Sequence, residues 1–278
     1  MHLLLLIPGF GAPHAAEKIQ FLRRRLLDLH AQSTSEGWTF DAWLFVYDDT
    51  SLDAVFDGDM PPLSPDRVRV VRSKGILAEF LIDHCSPSTL REKGYTHVLV
   101  TVDDVEFVNV PISTLRRIYD EHRLDILAPA LTADSRTAHP HMRERPPVNN
   151  AMTTNNAAVV IGRIVNALEW FCYFVDLRGY ERWWGVLDRN SPWTWGVDLI
   201  LHTHFDMRLG ILDTVTVRHY YSDDHSEGTG STPTKRWFAM LDWLQQHKFK
   251  YLDPQNVMLF GQTLADITDA PRSSQASQ

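Results

Sequence analysis

The chain has 278 residues, enough for one large domain or two small ones. Its 44% hydrophobic and 22% charged residues describe an ordinary globular protein rather than a disordered or membrane-spanning one. A net charge of −8, from 27 basic and 35 acidic side chains, argues against a general nucleic-acid binder, though a small phosphate pocket needs only local charge.

Met1 to Pro8 is apolar but lacks a basic flank and stops too early for a signal peptide. It reads as a first buried strand, Leu3 to Ile7, broken by Pro8-Gly9-Phe10-Gly11. From Ala15 to His30 the residues Ile19, Leu22, Leu26 and Leu29 recur three or four apart. That spacing predicts an amphipathic helix, with Arg23, Arg24 and Arg25 mainly toward water. Ala42 to Tyr47 is a second strand, ending in Asp48-Asp49, and a Pro- and Asp-rich loop follows from Ser51 to Asp66. Val68 to Val71 is a third strand and Gly75 to His84 a helix. Val98 to Val102 is a fourth strand, Ile112 to Glu121 a helix behind Pro111, and Asp125 to Ala130 a fifth strand. Such alternation predicts an α/β fold with a parallel sheet and right-handed crossovers.

The second half is less regular. Ala133 to Thr154 is polar and reads as a long loop, and Val165 to Val175 as a strongly apolar strand-like stretch. Arg178 to Leu187 predicts a short aromatic helix, and Ser191-Pro192-Trp193-Thr194-Trp195 opens another through Leu201. Gly210 to Tyr221 gives one or two strands and Arg236 to Gln246 an amphipathic helix, with a small polar tail from about Asp266. No segment approaches the ~20 apolar residues of a membrane span. Cys85 and Cys172, distant in sequence and in apolar surroundings, fit buried thiols in a reducing compartment. A cytoplasmic, soluble protein is expected.

Ligands in parallel α/β sheets bind beyond the carboxyl ends of the strands. Here those ends are Pro8-Gly9, Asp48-Asp49, Arg72-Ser73-Lys74 and Asp103-Asp104-Val105-Glu106. No G-x-G-x-x-G follows the first strand, which disfavours a dinucleotide site. A buried strand cannot hide three carboxylates, so Asp103, Asp104 and Glu106 either face water as a turn or helix cap, or bind a cation. Carboxylate oxygens suit Mg²⁺ or Mn²⁺, and such an ion would hold a phosphate. In an extended segment Asp104 and Glu106 share one side. His219, in an apolar strand, is either structural or completes an oxygen/nitrogen metal site. Asp198, after Trp193, Trp195 and Gly196, is either a carboxylate favoured by a helix N-terminus or a desolvated base. Lys74, at a strand-to-helix junction, is a candidate diphosphate contact. Glu169 interrupts an apolar run and is either a strand-edge acid or an acceptor-binding group. Trp170, Trp183, Trp184, Trp193 and Trp195 supply either core or sugar-stacking faces.

In this order the motifs resemble the GT-A fold of nucleotide-sugar-dependent glycosyltransferases, over roughly Leu3 to Tyr221. The chain is also similar, more distantly, to an uncharacterised plant family with glycosyltransferase-like features. Its F-x-Y-D, W-D-E-D and W-G-x-D motifs are matched by Phe45-Val46-Tyr47-Asp48, Val102-Asp103-Asp104-Val105-Glu106 and Trp195-Gly196-Val197-Asp198. Without a membrane anchor it is similar to the soluble glycosyltransferases of large algal viruses.

The resemblance implies a single GT-A-like domain over 1–265, with a mostly parallel central sheet flanked by helices, a smaller acceptor-side sheet and a C-terminal helix. Within it, 1–130 would be the nucleotide-binding half, 131–221 the acceptor half and 222–265 a C-terminal helical region, with 266–278 a flexible tail. It implies a Mn²⁺ or Mg²⁺ ion on Asp104, Glu106 and His219, although D-D-x-E departs from a strict D-x-D. Pro8, Gly9, Asp48, Lys74, Asp103 and Asp104 would bind a UDP- or GDP-linked sugar. Asp198 would be the catalytic base, and Glu169 and Trp195 would meet a glycan or glycoprotein acceptor. A hexosyl- or pentosyltransferase that inverts the anomeric centre follows, although a retaining enzyme carries similar acids. Rival readings are a nucleotidyltransferase, which would favour a Gly-rich basic loop that Pro8 to Ala12 lacks, and a non-catalytic carbohydrate-binding protein. A metal-dependent phosphoesterase needs more ligands than are evident.

Overall fold

The computed structural model describes residues 1–57, 67–75, 77–137, 140–145, 158–191, 194, 196–220, 233–250 and 256–263. Among these, ten strands join into one sheet. They are β1 His2–Phe10, β2 Thr39–Val46, β3 Val68–Arg72, β4 His97–Thr101, β5 Val105–Asn109, β6 Ile126–Leu131, β7 Ala158–Val165, β8 Cys172–Asp176, β9 Leu209–His219 and β10 Asn256–Thr263. The order is β10-β7-β9-β6-β8-β4-β1-β2-β3, with β5 paired to β9 off that path. The helices are α1 Ala15–Glu36, α2 Asp53–Phe56, α3 Leu77–His84, α4 Pro87–Glu92, α5 Ile112–Glu121, α6 Leu177–Trp184, α7 Val197–Phe205 and α8 Pro233–Gln246.

From β3 to β4 the sheet is parallel throughout. Antiparallel β8 separates this part from a second parallel pair, β6 and β9. Strands β7 and β10 continue the same sheet beyond that pair. This is the α/β architecture of one sheet with flanking helices that the sequence predicts, but the smaller second sheet expected beside it is not separate. Leu3 to Ile7 of β1 are fully buried, as are Val98 to Val100 of β4. Each such side chain removed from water contributes about 1.5–3 kcal/mol. From central β1 the chain builds outward to β2 and β3, then returns to the other side as β4. The crevice between the carboxyl ends of β1 and β4 is therefore a topological switch point.

Several expectations are corrected. β1 runs through Pro8 and Gly9 to Phe10 instead of breaking there; a register shift against β2 between Pro8 and Phe10 absorbs the proline. Helix α1 extends six residues past His30, because Gln32 and Ser33 are anchored: Gln32 Oε1 accepts from the Ile112 amide at 2.8 Å and Nε2 donates to the Val110 carbonyl at 3.0 Å. The apolar run 165–175 is no single strand but the end of β7, a corner and β8. Short helices α2 and α4, and strands β5, β7 and β10, fall where none was expected, β10 within the segment read as a C-terminal helical region.

One strand, β9, serves two neighbourhoods. Residues Leu209 to Leu212 pair with β7 and β6, and Thr216 to His219 pair with β5 and β6. Between Pro129 and Ala130 of β6 the ladder skips Asp213 to Val215. At this bulge Asp213 forms a buried ion pair with Arg163 of β7. Arg163 also donates to the carbonyls of His141 and Arg143, at 2.7 and 2.8 Å, and so fastens the irregular segment 140–145 to the sheet.

Candidate active site at the switch point

The loop from β1 to α1 lies between two carboxylates. Asp48, two residues beyond β2, accepts from the Ala12 amide at 2.7 Å and the Thr50 amide at 2.9 Å. Burial pushes its pKa up, but the hydrogen bonds from Thr50 and Ala12, with Lys18 nearby, outweigh that and hold it below the usual carboxylate value. Asp103, following β4, accepts from the Gly11 amide at 3.3 Å and pairs with Lys18 Nζ at 2.9 Å. A side chain at residue 11 would drive its Cβ to 2.6 Å from Asp48 Oδ2, so glycine is needed for the loop to close on Asp48.

Helix α1 supplies the counter-charges. Lys18 and Arg25 are buried, against the expectation that the arginine run faces water. Arg25 donates to the carbonyls of Val102 and Asp103, at 3.0 and 2.6 Å. Burial lowers its pKa to about 10, with Asp103 opposing the shift, so it stays charged. The exposed Arg24 reaches Glu106 at 2.5 Å.

The three acids of the 103–106 stretch therefore go to three places. Asp103 meets Lys18. Asp104 is fully buried, and its Oδ2 lies 3.3 Å from His219 Nε2. The other ring nitrogen of His219, Nδ1, is 2.6 Å from the Arg136 carbonyl, which requires Nδ1 to be the donor and aims Nε2 at Asp104. Burial pushes the imidazole pKa down, yet Asp104 outweighs this and raises it to about 9. Glu106 is not brought to this pair: its carboxylate meets Arg24, Arg218 and Tyr220. The physical reason is local. Asp103 and Asp104 form a turn between β4 and β5, so the alternation that would align Asp104 with Glu106 does not apply.

Two further carboxylates approach from the second half. The corner between β7 and β8 carries Glu169, whose Oε2 accepts from Thr137 Oγ1 at 2.8 Å. Burial raises its pKa to about 8, with the Thr137 hydrogen bond opposing and Asp198 adding to the rise. Asp198 lies in the first turn of α7, where burial raises its pKa to about 7 against the Gly196 amide bonded to its Oδ1 at 3.0 Å. Glu169 also lies within electrostatic reach of His219. Phe171, from the same corner, covers the imidazole with ring centroids 4.2 Å apart.

Gly196 makes this position possible. Its φ is 87°, and a Cβ there would lie 2.8 Å from Met240 Cγ of α8. Gly196→Ala is expected to cost about 1–2 kcal/mol from the left-handed backbone alone. A lower urea midpoint would measure it, and an unchanged midpoint would refute the strain.

The structure gathers Asp48, Asp103, Asp104, His219, Glu169 and Asp198 around the switch point. Lys74 stands exposed after β3, and Arg72 instead donates to the carbonyls of Asp48 and Thr50, at 3.1 and 2.9 Å. Pro8 and Gly9 belong to the bulged end of β1, just before the Gly11–Ala12 loop. Trp193 and Trp195 lie outside the described residues. Trp170 and Trp183 are core, with ring centroids 5.6 Å apart. Sequence reasoning missed Lys18, Arg25, Thr137 and Tyr220. Only the first two left a signal, as polar residues on the buried stripe Lys18-Leu22-Arg25-Leu29 of α1.

Fold and site together define an α/β protein with an acidic, histidine-bearing crevice at its switch point. No family model matches the chain, and no curated protein does. Among solved structures it is similar to that of A197 from STIV, at 12% identity and TM-score 0.40, covering 80% of this chain and 87% of that one. It is also similar to GalNAc-T7 with UDP, GalNAc and Mn²⁺, at 10% identity and TM-score 0.49 over 89% of this chain. The match spans about half the length of that protein, 50%. Neither likeness bears on substrate or chemistry at these TM-scores. No described helix is long and apolar enough to cross a membrane.

Proposed function

We propose that the chain is a metal-dependent glycosyltransferase, moving a sugar from a UDP- or GDP-linked donor to a hydroxyl of a glycan or glycoprotein. One observation carries the reading: a buried carboxylate–imidazole pair, Asp104 and His219, shares the crevice with a carboxylate, Asp198, poised near neutral pH.

The residues fit a divalent ion. A carboxylate oxygen and an imidazole nitrogen 3.3 Å apart match neighbouring ligands at about 2.1 Å each. The Nδ1 hydrogen bond to the Arg136 carbonyl is the outer support that metal-binding histidines use. No cluster of three or more such ligands forms among the described residues, so donor phosphates and water would have to complete the ion's shell. When bound, the ion would act as a Lewis acid toward the departing diphosphate.

The protein's own groups do the rest. Asp48 and Asp103 flank the Gly11–Ala12 loop, where the nucleoside would lie. Pro8 and Gly9 would form the floor beside it, and Lys74 would reach the diphosphate from the β3 loop. Asp198, half ionised near pH 7, takes the proton of the acceptor hydroxyl as it attacks. Attack from the side opposite the diphosphate inverts the anomeric centre. Glu169, protonated at neutral pH, offers the acceptor an O–H donor. Trp195 would add an acceptor-side face. In domain terms, 1–130 would hold the donor and 131–221 the acceptor.

Calorimetric titration with UDP and GDP, with and without Mn²⁺, tests this reading. Metal-dependent binding of one nucleotide, lost in Asp104→Asn, is the expected result. Binding of neither would overturn it and leave the carbohydrate-binding alternative.

A further inference from the structure

Glu106 has a destination of its own. It stands opposite Arg218 in the β5–β9 ladder, while Val105 stands opposite His219. Its carboxylate collects three donors: Arg24 at 2.5 Å, Tyr220 Oη at 2.6 Å and Arg218 at 3.3 Å. Arg218 and Tyr220 are the two chain neighbours of His219. Side chains alternate along a strand, so both leave it on the face opposite the imidazole. One carboxylate thus grips the chain on either side of His219.

The grip is reinforced. The Tyr220 amide donates to the Asp104 carbonyl at 3.2 Å, which joins the acidic turn directly to the segment that carries His219. The Tyr220 ring stacks on Phe21 of α1 at 4.6 Å. Arg24 also belongs to α1, the helix whose Lys18 and Arg25 hold Asp103. Turning Glu106 toward the imidazole would strip Arg24 of its carboxylate and Arg218 of one of two, the other being Asp134 at 3.1 Å.

We propose that Glu106 is a positioning residue, not a ligand: by clamping Arg218 and Tyr220 to α1 it sets the reach of His219 toward Asp104. Its effect on metal binding rests on the functional reading above, whereas the positioning itself does not.

The test titrates Mn²⁺ alone into the purified protein. Glu106→Gln keeps an acceptor oxygen and loses the charge, whereas Arg218→Met keeps the charge and releases the clamp on one side of His219. Positioning predicts that Glu106→Gln stays within about threefold of wild type and that Arg218→Met weakens Mn²⁺ about tenfold or more. A ligand role predicts the reverse: Glu106→Gln falls as far as Asp104→Asn, and Arg218→Met binds no worse, since a neighbouring cation is gone. That pattern would overturn the proposal.

A second readout needs no metal. In the metal-free protein the imidazole ¹⁵N shifts of His219 should move in Arg218→Met and Glu106→Ala but not in Glu106→Gln. Shifts unchanged in all three would also overturn it. Should wild type bind no Mn²⁺, the metal reading fails and the imidazole shifts alone decide the positioning.

Discussion

Asp198→Asn is expected to slow sugar transfer by about 10²–10⁴-fold, the usual worth of a general base, while nucleoside-diphosphate binding stays nearly intact. The substitution keeps shape, and the Gly196 amide retains its acceptor at the Oδ1 position. Only the capacity to take a proton is lost. In wild type, burial raises the Asp198 pKa to about 7. The rate should therefore fall about tenfold per pH unit below that value. Stability should run the other way. The folded pKa lies above the unfolded value of about 3.9, so the fold disfavours the ionised form. The associated stability is present below about pH 4 and is lost as pH rises through about 7. Asp198→Asn should thus match wild type in acid and melt higher above pH 7. Thermal midpoints across pH, with initial rates, measure both limbs. Undiminished turnover would remove Asp198 as the base.

Lys18→Met is expected to destabilise the fold by about 3 kcal/mol or more, because it removes the ammonium paired with the buried Asp103 carboxylate and leaves it only the Gly11 amide and the nearby Arg25. Lys18 is 1% exposed, and its ammonium also donates to the Gly11 carbonyl at 3.0 Å, so the cost falls on the loop as well. With a urea m-value of about 3 kcal/mol/M, the midpoint should drop by about 1 M or more. Replacing both members, Lys18→Met with Asp103→Leu, should restore most of the loss, since an apolar pair avoids the desolvation that the ion pair overcomes. A midpoint unchanged in the single variant would show that water reaches the pair.

The central strands are legible because β1, β2, β4 and β6 are nearly unbroken apolar runs. Helix α5 matches its expected span, Ile112–Glu121, because Ile112, Leu115, Ile118 and Tyr119 make a clean stripe. Strand β5 is hidden by its composition: Val105-Glu106-Phe107-Val108-Asn109 follows two aspartates and looks like their continuation. Apolar content alone cannot show the corner within 165–175, since both arms are buried. At the site, residue types pointed to Asp48, Asp103, Asp104, Glu169 and Asp198, but also to Glu106, which lies elsewhere, and they gave none of the neighbours. The spacing of Asp104 and Glu106 implied a shared face only for extended chain, and the turn at Asp103-Asp104 cancels it. The burial of Arg25 was legible only in its place on the stripe with Lys18, Leu22 and Leu29. Its neighbours Arg23 and Arg24 have the same chemistry, and packing against the β4–β5 turn separates them.

The cationic face of α1 changes what an approaching anion would meet. The molecule as a whole repels negative charge, at −8. Electric fields in physiological salt fade over about 8 Å, so distant acidic residues count for little in the crevice. Close in, Asp48, Asp103, Asp104 and a half-ionised Asp198 are met by Lys18, Arg25 and the His219 imidazolium. Locally the crevice is close to electroneutral. Association with a polyanion would then depend less on ionic strength than binding through a basic surface, and most of the attraction would come from the cation that arrives with it.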